Sequence, residues 1–247
     1  MNVGTEEIYL AEVFEKAWRR YLETVRGGKS GWDYVIITAS NQGQAEGFAA
    51  QLTERKSAGF LPAGTHFGVV PDPVGERVGN GGAMLGAMRY VAEREGKTDF
   101  SQLKVLVLLS SGDSRRAAQY SAMGKIFSPV PRLLPNGRPS TLFDESMIVT
   151  SGIPDRIDEG VLVMSGDVLL AFDSDAFEVS DAAAAALAFP EPVQTGANHG
   201  VFLSNAAGNI ARVWHKQKPE VLRSYGAVDE NNCVRIDTGA VFFRALA

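Results

Sequence analysis

The sequence predicts an α/β fold built on a mainly parallel sheet. Apolar segments rich in β-branched residues recur along the chain, and segments with helical periodicity lie between them. The apolar segments are nearly continuous in character, as strands covered by helices on both faces are. The chain has 247 residues, 45% of them hydrophobic, which suits one large domain or two small ones with a substantial core.

Helices and strands alternate through the first half of the chain. The sequence predicts a helix over residues 5–26. Thr5 would cap its start, acidic residues follow in its first turn, and the pair Gly27-Gly28 would end it. After it we predict a strand over 32–40, a helix over about 42–56, a strand over 65–73, a helix from the glycine-rich segment 78–84 to about Glu95 with Gly96 as its stop, and a strand over 104–110.

The second half contains three further apolar segments that predict strands, at residues 160–167, 199–205 and 234–243. The segment 129–140 is rich in proline and glycine and predicts a loop. The Ala-rich segment 181–189 is far too short for a membrane span and predicts a piece of helix.

Ligand sites of parallel α/β sheets lie at the carboxyl ends of the strands. Segment 110–125 follows such an end and is unusually basic for a chain of net charge −5. Arg115, Arg116 and Lys125 lie there, and Gly112 would let an anion approach the main chain. The segment therefore predicts either an anion-binding loop or a solvated loop whose arginines pair with surface carboxylates. The same rule selects residues 39–42, 72–82 and 166–167.

Neither glycine-rich segment matches a common phosphate-binding motif. A Walker-type loop ending at Gly124-Lys125 would need a glycine where Gln119 stands and a Ser or Thr where Ile126 stands. A dinucleotide fingerprint in "GNGGAM" would need a third glycine at Met84 and a strand directly before the motif. Both motif assignments are therefore excluded.

Two aspartates are candidate metal ligands. Asp167 follows a glycine at the end of an apolar strand, where a carboxylate can face Mg²⁺, and a helix cap or turn former is the alternative role. Asp237 interrupts an otherwise apolar strand. Because a lone buried charge is costly, that carboxylate must be paired, capped or bound to a metal.

Composition excludes several classes of function. The net charge of −5 argues against broad binding to nucleic acid or anionic membrane, and no apolar run reaches the length of a membrane span. His66, His199 and His215 have no zinc-ligand spacing, and the single Cys233 is expected to be a small buried side chain. A cytoplasmic protein is the simplest prediction.

Five segments in collinear order resemble one family. They are "DPVGERVGNGGAM", "SGDSRRAAQYSAMGKIFSPVP", "GVLVMSGDVLLAFD", "HGVFLSNAAGNIARVWHKQKPE" and "IDTGAVFF". Together they resemble the L-fucose-1-phosphate guanylyltransferase (GDP-fucose pyrophosphorylase) domain of the bifunctional fucokinase/GDP-fucose pyrophosphorylases. The likeness covers nearly all of the chain from Trp32 onward.

The resemblance implies a Rossmann-like, glycosyltransferase-A-type nucleotidyltransferase fold with a mixed, mainly parallel central sheet, as a single domain over residues 1–247. It implies transfer of GMP from GTP to a sugar 1-phosphate, most simply L-fucose 1-phosphate, with Mg²⁺ as cofactor. The products would be a GDP-sugar and pyrophosphate. The kinase and β-helical regions of the family are absent from this sequence.

The resemblance also implies roles for individual residues. The triphosphate loop would comprise Gly112, Ser114, Arg115, Arg116 and Lys125. A turn near the base and ribose would comprise Gly79, Gly81 and Gly82. Lys216 would lie near the sugar phosphate, with Asp167 and Asp237 as metal ligands.

This chain departs from the family pattern at Ser111, at Ala117-Ala118 and at Met84, where the family more often has Gly, Leu-Pro and Thr. Two other functions therefore stay open: a fucokinase-associated domain, and a non-catalytic module that binds a nucleotide or GDP-sugar. The apolar end "AVFFRALA" is expected to be covered by a further C-terminal region or by a second copy of the chain.

Overall fold

A computed structural model describes residues 4–74, 76–110, 120, 124–179 and 182–244, and for Thr5 and Glu6 the backbone alone. Its helices are α1 (Thr5–Val25), α2 (Gln42–Ser57), α3 (Gly79–Glu95), α4 (Leu142–Val149), α5 (Val193–Gly196) and α6 (Pro219–Ser224). Its strands are β1 (Tyr34–Ala39), β2 (His66–Pro71), β3 (Lys104–Leu109), β4 (Pro129–Leu133), β5 (Pro139–Thr141), β6 (Gly160–Ser165), β7 (Ala184–Pro192), β8 (Gly200–Ser204), β9 (Ile210–His215) and β10 (Cys233–Phe243).

The chain forms two compact units, residues 1–185 with 242–247, and residues 186–241. The first unit contains a sheet in which β2, β1, β3 and β6 lie side by side in that order, all parallel. Strand β1 is buried along its whole length, which accounts for its uninterrupted apolar sequence. The predicted α/β fold with a mainly parallel sheet is thereby confirmed for this unit.

Helices cover both faces of this sheet. On one face, Ala87 and Val91 of α3 pack against Ile36 and Val107 of the sheet. On the other face lies an aromatic cluster in which Phe127 contacts both Phe48 of α2 and Phe143 of α4, with ring centroids 5.5 and 5.1 Å apart. The two faces follow the alternation of side chains along each strand.

A buried ion pair anchors α2 to the start of α4. The Arg55 guanidinium donates to both carboxylate oxygens of Asp144, at 2.9 and 3.1 Å, and lies over the ring of Phe127. Asp144 also accepts a hydrogen bond from the backbone N–H of Thr141, the residue that caps α4. One carboxylate therefore closes a helix terminus and neutralises a buried cation at the same time.

We expect Asp144→Ala to lower the free energy of unfolding by about 3 kcal/mol, because the substitution leaves the Arg55 charge buried without its partner and removes a helix cap. Urea unfolding measures the change. Glu54→Ala is the matched control, since Glu54 forms an exposed ion pair with Arg138 at 3.4 Å. Its expected effect is at most about 0.5 kcal/mol. Equal losses in the two variants would contradict the structural role of the buried pair.

The second unit is built on antiparallel strands. Strand β8 lies between β10 and β9, and β10 also pairs with β7. One face of the sheet is apolar, where Val201 and Val234 pack with Val193 of α5 and Leu222 of α6. The chain thus combines parallel and antiparallel pairing, as the prediction of a mixed, mainly parallel arrangement requires.

Most of the predicted elements are confirmed, with shifts of a few residues at their ends. The cap of α1 is an exception, because the N-cap is Gly4 rather than the predicted Thr5, and the backbone N–H of Gly4 donates to the Glu7 carboxylate at 3.0 Å. The predicted stop of α3 at Gly96 is confirmed by its left-handed φ of 68°.

Two element predictions are wrong. The Ala-rich segment 181–189 is not helical in its described part but enters strand β7, where the Leu187 carbonyl accepts a hydrogen bond from Thr238. Pro190 and Pro192 stop a helix from continuing, so pairing with β10 overrides the helical preference of alanine. The segment 129–140 contains a hairpin of β4 and β5 as well as the predicted turn. An irregular register between Val130 and Leu133 tolerates its prolines.

Cys233 is partly exposed rather than buried. Cys233 is the first residue of β10 and follows a turn. Its backbone N–H donates a hydrogen bond to the Asp229 carboxylate at 2.8 Å, and this main-chain contact accounts for its position. Among the described residues, no helix combines the length and apolar character that crossing a membrane would require.

Candidate functional site

The first unit presents a crevice where its parallel strands end. Strand β1 lies between β2 and β3, so the chain continues from β1 to one neighbour and later crosses to the other side. In sheets of this kind the two connections diverge at that point and leave room for a ligand outside the carboxyl ends. Residues that follow β1, β2, β3 and β6 therefore belong to the candidate site.

Lys125 and Asp167 meet at this edge of the sheet. The Lys125 ammonium lies 2.8 Å from one carboxylate oxygen of Asp167, and the hydroxyl of Ser165 donates to the other oxygen at 2.7 Å. Burial raises the pKa of Asp167, but the hydrogen bonds from Lys125 and Ser165 outweigh it and leave the pKa below its usual value. The Asp167 side chain is therefore held as a carboxylate.

Gly166 explains how Asp167 reaches this position. Its backbone N–H donates to the Leu109 carbonyl at 2.8 Å, and an added Cβ would lie 3.0 Å from that same oxygen. A glycine thus lets the end of β6 lie directly against the end of β3. Asp167 lies in the turn that directly follows β6, and its side chain also binds Lys125.

Gly124 places Lys125. It has a φ of +71°, and an added Cβ would lie 2.5 Å from the Phe48 ring and 3.1 Å from the Nε2 atom of Gln44. Gln44 is itself 3% exposed, and its Oε1 atom accepts hydrogen bonds from Ser40. Its Nε2 atom is buried without a hydrogen-bond partner among the described residues. A buried donor without an acceptor is costly, so this amide is a second polar feature of the crevice.

The connection from β2 to α3 contributes a buried acid. Asp72 is 7% exposed and extends the pairing of β2, because its N–H donates to the Ala39 carbonyl at 2.7 Å. Burial raises the pKa of the Asp72 carboxyl, against a smaller opposing effect of the Arg77 charge. Sequence reasoning selects the segment but not this residue. Its signal is an acid directly behind a strand and before a proline.

The predicted glycines lie in the first turn of α3. Gly79 has a φ of +65°, and an added Cβ at Gly79 or Gly81 would meet no atom within 4 Å. At Gly82 the added Cβ would lie 2.5 Å from the Cβ of Val78. Gly82 is therefore needed for packing, whereas the space beside Gly79 and Gly81 is open to a ligand. No side chain caps this helix terminus.

Two predicted site residues, Asp237 and Lys216, belong to the second unit. One oxygen of Asp237 accepts a hydrogen bond from the Gly239 N–H at 2.8 Å, so the carboxylate is capped. Asp237 lies over Gly200, where an added Cβ would be 3.0 Å from the Asp237 Cβ. Lys216 has a φ of +51°, and its N–H donates to the His199 carbonyl at 2.9 Å. These contacts bring Asp237 and Lys216 to the same end of β8.

The remaining predicted residues, Gly112, Ser114, Arg115 and Arg116, lie outside the described residues. Arg132, a cation seven residues beyond Lys125, is bound to the Glu145 carboxylate and lies over the ring of Phe14. Arg132 therefore serves packing in the first unit.

The described residues offer no cluster of three or more His, Cys, Asp or Glu side chains for a metal. Mg²⁺ commonly uses one or two protein carboxylates and completes its shell with water and substrate phosphates. Asp167 fits that chemistry, because its partly exposed carboxylate stands at the strand ends and is held by Ser165. A site of this kind is compatible with Mg²⁺ bound together with a phosphate ligand.

Comparison with known proteins assigns the family. A family model described as "Fucose pyrophosphorylase domain" matches residues 97–247. The chain is 30% identical to a bifunctional fucokinase/GDP-fucose pyrophosphorylase of Arabidopsis thaliana, over 100% of this chain and 27% of that protein. It is 32% identical to a fucose-1-phosphate guanylyltransferase of Mus musculus, over 72% of this chain and 30% of that protein.

A fucose-1-phosphate guanylyltransferase of Homo sapiens is 29% identical over 90% of this chain and 39% of that protein. The chain therefore spans well under half the length of these curated relatives. The matched region includes β3 and three residues that the resemblance selects, Lys125, Asp167 and Asp237. The chain belongs to the fucose pyrophosphorylase domain family.

Proposed function

We propose that the chain transfers GMP from GTP to a sugar 1-phosphate, L-fucose 1-phosphate, and releases pyrophosphate. The observation that carries this proposal is the Lys125–Asp167 pair at the carboxyl ends of β3 and β6, in a chain of this family. A lysine and a carboxylate at strand ends are the groups needed to bind phosphate oxygens and a hard cation. The named relatives support the choice of substrates.

We further propose that the fold is of the glycosyltransferase-A type. The parallel sheet with its ligand crevice and the antiparallel strands of the second unit support it. The single nucleotidyltransferase domain over residues 1–247 and the cytoplasmic location stay predictions. That a further region or a second copy covers the apolar segment "AVFFRALA" also stays a prediction. Within that segment, Phe242 is 2% exposed.

The reaction needs no protein nucleophile. An oxygen of the sugar phosphate attacks the α-phosphorus of GTP, and the bond to the bridging oxygen of pyrophosphate breaks. Catalysis then consists of positioning and charge stabilisation. Lys125 would bind triphosphate oxygens, with Arg115 and Arg116 as bidentate donors and the N–H groups of Gly112 and Ser114 beside them. Lys216 would bind the sugar phosphate and reduce repulsion between the two anionic substrates.

Asp167 would hold Mg²⁺, and the metal-ligand role of Asp237 stays a prediction. When bound, the ion supplies positive charge at the phosphate oxygens where negative charge develops. Because Lys125 is bound to Asp167, its ammonium must exchange a carboxylate oxygen for a phosphate oxygen when the substrate enters. Ser165 would keep the carboxylate in place during that exchange.

A binding module without catalysis is the second candidate function. The observation in its favour is the replacement of the family's usual Leu-Pro by Ala117-Ala118 beside the arginines. Such a module would bind GTP and release no pyrophosphate. A kinase-associated role receives less support, because the family model that matches is that of the fucose pyrophosphorylase domain.

The test is pyrophosphate release with Mg²⁺ by the whole chain, with GTP, ATP, CTP and UTP each combined with fucose 1-phosphate and mannose 1-phosphate. We expect release with GTP and fucose 1-phosphate at a rate at least about tenfold above every other pair, since one misplaced or missing hydrogen bond costs about a factor of ten. Calorimetric binding of GTP without release of pyrophosphate would instead support the binding module.

A further inference from the structure

We propose that the open edge of strand β2 pairs with β2 of a second copy of the chain, in the antiparallel direction, so that one sheet runs through both copies. The inference goes beyond the proposed transfer reaction and does not depend on it. Three observations support it: the main-chain groups along the open edge of β2, the groove that lies beside them, and the opposite charges at the two ends of that groove.

Strand β2 ends the sheet on one side, and within the described part of the chain β1 is its only neighbour. The N–H of His66 donates to the Asp33 carbonyl, and the parallel pairing with β1 continues at every second residue. The main-chain groups of Phe67 and Val69 therefore point away from β1, towards the open edge. A row of such N–H and C=O groups is a template for a further strand.

A groove of about 440 Å³ lies beside this edge. One wall is β2 itself, and the other is a face of α2 whose exposed residues recur at intervals of three and four. These residues are Gln42, Glu46, Ala49, Thr53 and Lys56. At 1.5 Å per residue this helix face is about 21 Å long, and a strand of six residues is about 20 Å long. The groove is therefore as long as the strand that would enter it.

Pro71 determines the register of the pairing. It faces the same edge as Phe67 and Val69 but has no N–H, so β2 offers to the edge only the two donors that flank Gly68. A two-fold axis at Gly68 places Phe67 of each copy opposite Val69 of the other. Residues that are directly opposite in an antiparallel pair can exchange two hydrogen bonds, so this register satisfies every edge donor of both strands.

The charges in the groove are complementary to themselves under the same axis. Because β1 and β2 are parallel and α2 connects them, α2 runs in the opposite direction, with Lys56 near the start of β2 and Glu46 near its end. Burial lowers the pKa of His66, the first residue of β2, and the charges of Arg94 and Lys56 lower it further. The axis therefore brings Lys56 of each copy to the Glu46 end of the other.

A second copy fits this surface better than an unrelated extended peptide. A peptide could pair with the main-chain groups of β2, but it would have to carry a base and an acid in the reverse order to match Glu46 and Lys56. The chain carries that order itself. The axis also keeps both α2 helices on the same face of the joined sheet, and the small side chain of Ala49, at the middle of the helix face, lets them pass closely.

The test is the mass of the whole chain in solution by sedimentation equilibrium, with the variants Glu46→Lys and Lys56→Glu. We expect the unsubstituted chain to reach twice its own mass between about 1 and 100 μM. Each variant places like charges together at both ends of the pairing, so its dissociation constant should rise at least about tenfold. An equimolar mixture of the two variants should form dimers again, because each lysine of one then meets a glutamate of the other.

Glu15→Lys is the matched control. It makes the same change of charge on α1, where Glu15 pairs with Arg19 and does not line the groove. Its dissociation constant should equal that of the unsubstituted chain.

Val69→Pro tests the main-chain pairing. It removes an N–H that points away from β1, so the pairing with β1 stays intact while each copy loses one hydrogen bond of the dimer. We expect the dissociation constant to rise at least about tenfold, and Val69→Thr, which keeps the N–H, to leave it unchanged. The thermal midpoint confirms that the proline variant is folded.

A chain that stays monomeric up to about 100 μM would overturn the proposal. A dimer that Glu46→Lys, Lys56→Glu and Val69→Pro all leave unchanged would overturn it too, because the copies would then meet at another surface. If the mixture of the two charge variants stays monomeric, the antiparallel arrangement is refuted.

Discussion

Asp167→Asn is expected to lower Mg²⁺-dependent pyrophosphate release by at least about 100-fold while the fold stays intact. The loss follows because charge stabilisation at a reacting phosphate contributes several kcal/mol to the transition state, and asparagine holds a cation far less tightly. The fold should persist, because Asp167 is 44% exposed and its neutral isostere still accepts from the Ser165 hydroxyl. Initial rates over a Mg²⁺ titration measure the effect.

The control for this substitution is Asp173→Asn. Asp173 also accepts a hydrogen bond from a lysine, Lys16, at 2.8 Å, but it caps the short 3-10 helix Ser174–Ala176 and does not directly follow a strand. The Asp173→Asn substitution therefore removes a comparable ion pair and leaves the candidate site unchanged. Coincident Mg²⁺ titration curves for Asp167→Asn and the unsubstituted chain would show that Asp167 binds no metal during turnover.

Gly124→Ala should lower kcat/KM for GTP by about 10- to 100-fold. A Cβ at this position lies 2.5 Å from the Phe48 ring, and the φ of +71° is unfavourable for alanine by about 1–2 kcal/mol. The backbone must move to relieve the contact, and Lys125 moves with it away from Asp167. A displacement of about 1 Å in a positioning group can cost about 100-fold in rate.

Gly137→Ala separates the backbone strain from the contact with Phe48. Gly137 has a φ of +82°, yet an added Cβ there would meet no atom within 4 Å. It lies in the turn between β4 and β5, so the variant should lose about 1 kcal/mol of stability and keep its activity. Equal kcat/KM values for the two alanine variants would argue against Gly124 as the residue that places Lys125.

The strand ends of the first unit are predictable because its strands are covered on both faces and therefore read as uninterrupted apolar segments. The predicted strand ends select the segments that contain Lys125 and Asp167, but they do not predict the contact between these two side chains. Local propensity fails where tertiary pairing decides, as in β7, and the hairpin of β4 and β5 depends on an irregular register that prolines do not reveal. Helices α4 and α6 and strand β9 are missed because each is short or exposed.

The role of Gln44 could not be predicted for a different reason. Gln44 is an ordinary polar residue near a loop, and its interest lies in burial without a complete set of hydrogen-bond partners, which is a property of the folded chain. The environment of Asp237 could be predicted in part. The sequence predicts that its carboxylate must be capped or bound, and the Gly239 N–H supplies the cap.

The last residues of β10 have a consequence for synthesis of the chain. Phe242 belongs to the compact unit that begins at the N-terminus, and its ring packs against Phe177 and the backbone at Gly160. That unit is therefore discontinuous in sequence, and its core at Gly160 stays open until residue 242 has left the ribosome. Domains usually fold as their own segment emerges. Here the contact between Phe242 and Gly160 can form only after residues 186–241 have been translated.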